Sequence, residues 1–216
     1  MEKFSLIITA GGSSLRYGNK NKLLELINDK TVIEHTISKF LSFENITEII
    51  IPTNIKIKND LERILKNEKV KFVDGGETRQ KSVYNALQYV NNNYVIIHDG
   101  ARPLINRNLI LQVMESVLEN SAVSVMTKTT DTIKEVDENG KIIRTIDRSK
   151  LYNTQTPQAF EVKLIKTAHR ELINENFTDD SSMLEKLGIP VYIVIGNYSN
   201  IKITTRSDLD FAKLYI

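Results

Sequence analysis

Residues 8–22, ITAGGSSLRYGNKNK, put an apolar run directly against two glycines, two serines and a group of cations. Glycines after a first strand let the backbone approach a phosphate with its N–H groups turned toward it. Two familiar phosphate loops do not fit. A G-x-x-x-x-G-K-[ST] loop fails because five residues separate Gly12 from Gly18 and Asn19 follows. GGSSLRYG does not supply a G-x-G-x-x-G fingerprint either. A bare glycine loop also serves as a tight strand-to-helix turn, so the signal lies in the cations. Arginine grips phosphate oxygens in a fork and lysine adds a compact charge. Arg16 and Lys22 are read as phosphate-binding, and Lys20 as a solvated surface charge.

Two further stretches carry chemistry. VIIHDGARP brings an apolar run to Asp99. Ligands of open α/β sheets sit beyond the carboxyl ends of the strands. A lone acid there suits Mg²⁺, which takes few protein ligands and borrows phosphate oxygens. His98 reads as structural, and Arg102 as binding phosphate or, the favoured reading, pairing with an acid inside the fold. VDGGETRQKS again sets glycines after an apolar run. Taken alone it is a helix N-terminus in which Glu77 suits the dipole. No His–acid or Ser–His constellation is apparent among the three histidines.

Apolar runs predict strands at 4–9, 46–53, 70–73, 94–99, 121–127, 191–196 and 200–204. Helical spacing predicts helices at 31–43, 57–68 with Asp60 near its start, 79–91, 106–120, 161–175 and around 180–187. A last helix is expected over RSDLDFAKLYI, with Ser207 as its N-cap. Strand and helix alternate with short connections, which argues for an α/β fold with a mostly parallel sheet and helices on both faces. Residues 128–155 break the rhythm. Two β-like runs flank the polar tip DENGK, where Asn139-Gly140 is a hairpin signal. An inserted β-arm is expected there.

The 216 residues are enough for one substantial α/β domain and short for two. Twenty-nine basic and 27 acidic residues leave a net charge of +2, which gives no support to nucleic acid or an anionic membrane as partner. The absence of cysteine excludes disulfides and thiolate chemistry. No apolar run approaches the roughly 18 residues of a membrane span. A cytoplasmic location is expected.

TAGGSSLRYGNKNKLLEL, VDGGETRQKSV, VIIHDGARPLI, DTIKEV, IDRSKLYNTQTPQAF, TDDSSMLE and NIKIT occur in this order. Together they resemble the 2-C-methyl-D-erythritol 4-phosphate cytidylyltransferases, over essentially the whole chain. HDGARP and DRSKLY…QTPQAF are the most specific pieces. The resemblance implies a Rossmann-like nucleotidyltransferase fold over residues 1–216, with the arm at about 128–155 joining a homodimer. It implies transfer of the cytidylyl group of CTP to a sugar-alcohol phosphate, with Mg²⁺ and release of pyrophosphate. No length remains for a fused synthase acting later in the pathway, and none is expected.

Positions matching the family's motifs then take roles. Ala10, Gly11 and Gly12 approach the nucleotide with backbone, while Arg16 and Lys22 are the catalytic cations. Gly76 and Glu77 recognise the cytosine ring, with Ser82 a further base contact, and Arg79 orders that loop. Asp99 holds the metal. Thr132, Arg148, Thr156, Thr178 and Lys202 surround the acceptor, the first two reaching a neighbouring protomer's site from the arm. Outside the resemblance, Arg148 is an exposed hairpin charge, Lys202 a solvent-facing residue of an edge strand, and Asp179 a helix cap. The first loop departs from the family: SS stands where a second separated glycine is usual, and Asn21 where a proline often precedes the lysine. Ribitol 5-phosphate as acceptor, another sugar nucleotidyltransferase, and a nucleotide-binding module without turnover are the alternatives.

Overall fold

The computed structural model describes residues 1–11, 17 and 21–216. The elements run β1 (Phe4–Thr9), a 3-10 turn (Lys22–Leu24), β2 (Leu26–Ile27), β3 (Lys30–Thr31), α1 (Val32–Leu41), β4 (Ile46–Thr53), α2 (Ile55–Ile64), β5 (Val70–Asp74), α3 (Arg79–Leu87), β6 (Tyr94–Asp99) and α4 (Arg107–Asn120). Then follow β7 (Ala122–Lys128), β8 (Ile133–Val136), β9 (Ile142–Ile146), a 3-10 turn (Arg148–Lys150), β10 (Tyr152–Glu161), α5 (Val162–Glu171), α6 (Ser181–Lys186), β11 (Tyr192–Ile195) and α7 (Arg206–Lys213).

A seven-stranded sheet has the order β11-β7-β10-β6-β1-β4-β5. β1 pairs parallel with β4 and β6, as do β4 with β5 and β11 with β7, while β10 runs antiparallel between β6 and β7. Alternation along the strands feeds two apolar layers. Phe4, Leu6, Ile8, Ile49, Ile51 and Ile96 pack with α1, α2 and α4. Ile7, Ile50, Val95, Ile97 and Phe160 pack with α3, α5 and α6 on the other face. The helices sit on both faces, as the alternation implied.

Several local expectations need correction. Residues 200–204 form no strand: Ile203 turns inward to a third cluster with Tyr17, Val32 and Leu209. The cap of α7 is Thr205, not Ser207. Thr205 and Asp208 exchange side-chain and backbone bonds in a capping box, and its three-residue spacing excludes Ser207. α2 begins at Ile55, capped by Asn54, and ends at Ile64, so Asp60 lies within the helix rather than near its start. β10 runs through residues 152–155, expected in the arm, and on into the sheet. Its ladder with β7 is interrupted between Thr154 and Gln158, where Pro157 has no N–H to donate. The arm is the β8–β9 hairpin. Gly140 has φ of +81° and donates to the Asp137 carbonyl, while the Asp137 carboxylate accepts from Asn139 and Lys141. The glycine takes the left-handed position that closes the turn.

Candidate active site

Asp99 ends β6 at the carboxyl edge of the sheet, one strand from the glycine loop that follows β1. It is only 4% exposed. Lys202 Nζ lies 3.0 Å and Arg102 Nε 3.3 Å from its Oδ2. Oδ1 accepts from the Thr9 hydroxyl at 3.2 Å, and Arg79 Nε stands 3.7 Å away. Burial alone pushes this carboxyl up. Lys202, Arg79 and Arg102 together outweigh it and hold the group well below the usual carboxylate range. The structure therefore places a permanent anion where the strands point.

Both arginines are anchored elsewhere as well. Arg102 donates from Nη1 to the Asn200 carbonyl at 2.7 Å, and Asn200 donates to Gln155 and to the Thr156 carbonyl. This fixes the segment that carries Lys202. Arg79, the first residue of α3, reaches Asp180 through Nη2 at 2.7 Å. Asp180 is fully buried and also meets His169 Nε2 at 3.2 Å. Burial raises the Asp180 carboxyl, but Arg79 and His169 reverse the effect and hold it low.

His98 fills the space behind Asp99. Burial lowers its pKa to about 4, so it is neutral at pH 7. The Arg102 carbonyl can only accept, so Nε2, 3.2 Å from it, carries the ring proton. Nδ1 then accepts from the Thr156 hydroxyl at 3.1 Å. Thr156 Oγ1 in turn accepts the Asp99 backbone N–H at 3.0 Å. Thr156 is 5% exposed, and its hydroxyl hydrogen is committed to His98.

The β5–α3 loop is built by similar economy. Ser82 Oγ lies beneath it, accepting from Gly76 N at 3.0 Å and donating to the Thr78 carbonyl at 2.9 Å. Thr78 caps α3. A Cβ at Gly76 would stand 2.4 Å from Lys81 Cγ and 2.5 Å from Lys81 Cβ. Glu77 is exposed and lines, with Gly76, Tyr84, His169 and Asn174, a pocket of about 670 Å³.

The remaining candidates stand as follows. Gly12 and Arg16, like Lys20, lie outside the described residues. Ala10 is buried and its N–H donates to the Pro52 carbonyl, and Gly11 approaches Ser82. Lys22 opens the 3-10 turn after Asn21, whose side chain accepts from Leu23 N. Lys202 joins the Asp99 cluster rather than facing solvent alone, with 38% of its side chain exposed. Thr132 and Arg148 are exposed on the arm, where Arg148 Nη1 donates to the Thr130 carbonyl. Thr178 is exposed beside Asp179, which accepts from Gln158 and Ser181. Asp180 and His169 were missed by sequence reasoning. No local pattern marks them, because Asp180 meets Arg79 and His169 only once distant parts of the chain are packed together.

Asp99 fits a metal only in one sense. Among the described residues no group of three or more His, Cys, Asp or Glu could hold an ion. Among the described residues Asp99 would give such an ion one ionised carboxylate, leaving phosphates and water for the other positions. That donor set is what Mg²⁺ accepts.

A mostly parallel sheet with helices on both faces and a buried, cation-ringed carboxylate at the carboxyl end of β6 fit a nucleotidyltransferase of Rossmann-like fold. The family model of 2-C-methyl-D-erythritol 4-phosphate cytidylyltransferase matches residues 4–216, and the chain belongs to that family. It is 43% identical to the 2-C-methyl-D-erythritol 4-phosphate cytidylyltransferase of Dictyoglomus thermophilum, over 97% of this chain and 94% of the relative. The Bacillus cytotoxicus protein of that name is 40% identical, over 99% of this chain and 97% of its own length. The crystal structure of 4-diphosphocytidyl-2C-methyl-D-erythritol synthase from Anaerococcus prevotii superposes with a TM-score of 0.87 at 33% identity, covering 99% of this chain and 96% of that one. No helix among the described residues is long and apolar enough to cross a membrane.

Proposed function

We propose that this chain transfers the cytidylyl group of CTP to 2-C-methyl-D-erythritol 4-phosphate, releasing pyrophosphate, in isoprenoid precursor biosynthesis. The observation that carries the reading is the buried Asp99 carboxylate ringed by Arg79, Arg102 and Lys202 at the end of β6. The nucleophile is an acceptor phosphate oxygen, already an anion, so the site needs alignment and charge neutralisation rather than a strong base.

Asp99 would hold Mg²⁺ with the nucleotide's phosphates. The ion, when bound, neutralises phosphate charge and supports the leaving pyrophosphate. Ala10, Gly11 and Gly12 approach the nucleotide with backbone, the Ala10 N–H itself being given to the Pro52 carbonyl, and Arg16 and Lys22 stabilise the charge that develops on the phosphates. Gly76 and Glu77 meet the cytosine, whose exocyclic amine needs an acceptor. Ser82 acts by holding that loop, since its hydroxyl is engaged with Gly76 and Thr78. Lys202 and Thr178 face the acceptor. Thr156 acts through Asp99 rather than by direct grip, because both sides of its hydroxyl are engaged.

Residues 1–216 act as one unit in a homodimer. Val136, Ile142 and Ile143 leave about half of their apolar surface exposed on a two-stranded arm. Such a hairpin is marginal unless something packs on it. Thr132 and Arg148 would then complete the partner's site. A cytoplasmic location accords with a CTP-consuming reaction.

Pyrophosphate release with CTP and Mg²⁺ tests the assignment. Release with methylerythritol 4-phosphate and not with ribitol 5-phosphate is expected. Release with ribitol 5-phosphate alone would move the acceptor assignment, and no release with either would remove the catalytic reading.

A further inference from the structure

Arg79 lies between two buried carboxylates that belong to different parts of the fold. Asp99 ends β6, and Asp180 precedes α6. The guanidinium is not shared equally. Nη2 forms a close ion pair with Asp180 Oδ2 at 2.7 Å, without the alignment of a hydrogen bond, whereas Nε lies 3.7 Å from Asp99 Oδ1. Asp180 is itself held on its other sides. His169 Nε2 meets its Oδ1 at 3.2 Å, and its backbone N–H donates to Gln158 Oε1 at 3.1 Å.

The two oxygens of Asp99 therefore differ. Oδ2 has Lys202 and Arg102 close to it. Oδ1 has the neutral Thr9 hydroxyl and a guanidinium kept at arm's length. We propose that Asp180 is a positioning residue: by holding the Arg79 guanidinium it keeps Oδ1 of Asp99 open to a divalent cation. This rests on the assignment of Asp99 as the metal carboxylate. The physical reason is competition. Without the Asp180 charge, Asp99 is the only carboxylate within 4.0 Å of the Arg79 guanidinium among the described residues. A movement of under about 1 Å would close a charge-assisted hydrogen bond onto Oδ1. An arginine there occupies a lone pair and repels an incoming dication.

Arg79 also stands between the base-recognition loop and Asp99. Arg79 directly follows Thr78, the cap of α3 and the end of the Gly75–Thr78 loop. A purely structural role, locking α3 against α6, would leave cation affinity unmoved once the protein is folded.

Protein-bound Mn²⁺ can be followed by water-proton relaxation enhancement with saturating CTP and no acceptor, so that no turnover occurs. The unsubstituted protein should give a saturable enhancement that Asp99→Asn removes. Persistence in Asp99→Asn would take the metal off Asp99 and overturn both that assignment and this inference. Asp180→Asn should raise the Mn²⁺ half-saturation about tenfold, the usual scale for loss of a group that supports a metal ligand. Adding Arg79→Gln to Asp180→Asn should return it toward the starting value, because the competing cation is gone. An unchanged half-saturation in Asp180→Asn, or a double variant as weak as the single, would overturn the inference while leaving the metal on Asp99. Should Asp180→Asn not fold, the double variant decides alone, since it removes both members of a buried pair. Half-saturation near the original supports the inference, and a tenfold rise overturns it.

Discussion

Thr156 Oγ1 accepts the backbone N–H of Asp99 at 3.0 Å across 57 positions of sequence. The same hydroxyl gives its hydrogen to His98 Nδ1, whose other nitrogen is fixed by the Arg102 carbonyl. The carboxylate at the end of β6 is thereby held by its own main chain as well as by the cations around it.

Thr156→Val keeps the shape and removes the hydroxyl. It leaves the Asp99 N–H and His98 Nδ1 without partners, and stability should fall by about 1–3 kcal/mol in urea unfolding. Turnover should fall while KM for the acceptor changes little. A large rise in acceptor KM at unchanged kcat would instead make Thr156 a direct contact.

Lys22→Ala should reduce kcat by about 10²–10³, the usual loss for one donor to developing charge, with the circular dichroism spectrum unchanged. Near-normal turnover would remove Lys22 from the catalytic role. Mixing this variant with Arg148→Ala should recover activity, because a mixed dimer would contain one site lacking neither residue. No recovery would argue that Arg148 serves its own protomer.

Gly76→Ala places a Cβ 2.9 Å from the Lys81 carbonyl carbon as well as against its side chain. The backbone cannot yield as a flexible tip does, so the loop must shift. A loss of about 1–3 kcal/mol is expected from such overpacking, together with a higher KM for CTP. Unaltered CTP affinity would take this loop away from the base.

Asp208 closes the α7 capping box, accepting from the backbone N–H of Thr204 at 2.8 Å and Thr205 at 2.7 Å. Burial pushes this carboxyl up, but those donors outweigh it and the folded value lies below the usual one. Its contribution is therefore complete above the ordinary carboxylate pKa and is lost as pH falls below it. Asp208→Ala should cost about 1 kcal/mol at pH 7. The gap to the unsubstituted protein should narrow in acid, and a gap equally wide at pH 3 would contradict the ionised cap.

The sequence by itself determined the frame. Strands 4–9, 46–53 and 94–99 lie where their apolar runs placed them, because a strand buried on both faces must be apolar along its length. The position of Asp99 at the end of such a run, where a sheet presents ligands, was legible too. Arg102 pairs with an acid, as its neighbourhood suggested. Tertiary structure decided the rest. β10 was hidden by Pro157 and by polar residues whose partners lie on β6 and β7, and NIKIT was mistaken for a strand because Ile203 packs into a cluster that α7 completes. The ties of Asp180 to Arg79 and to His169, and of Lys202 to Asp99, leave no local trace. Hydrophobic period is a property of neighbours in sequence, whereas a buried charge is stable only beside a counter-charge that folding brings from elsewhere. Which cation meets which carboxylate is for that reason written only in the assembled fold.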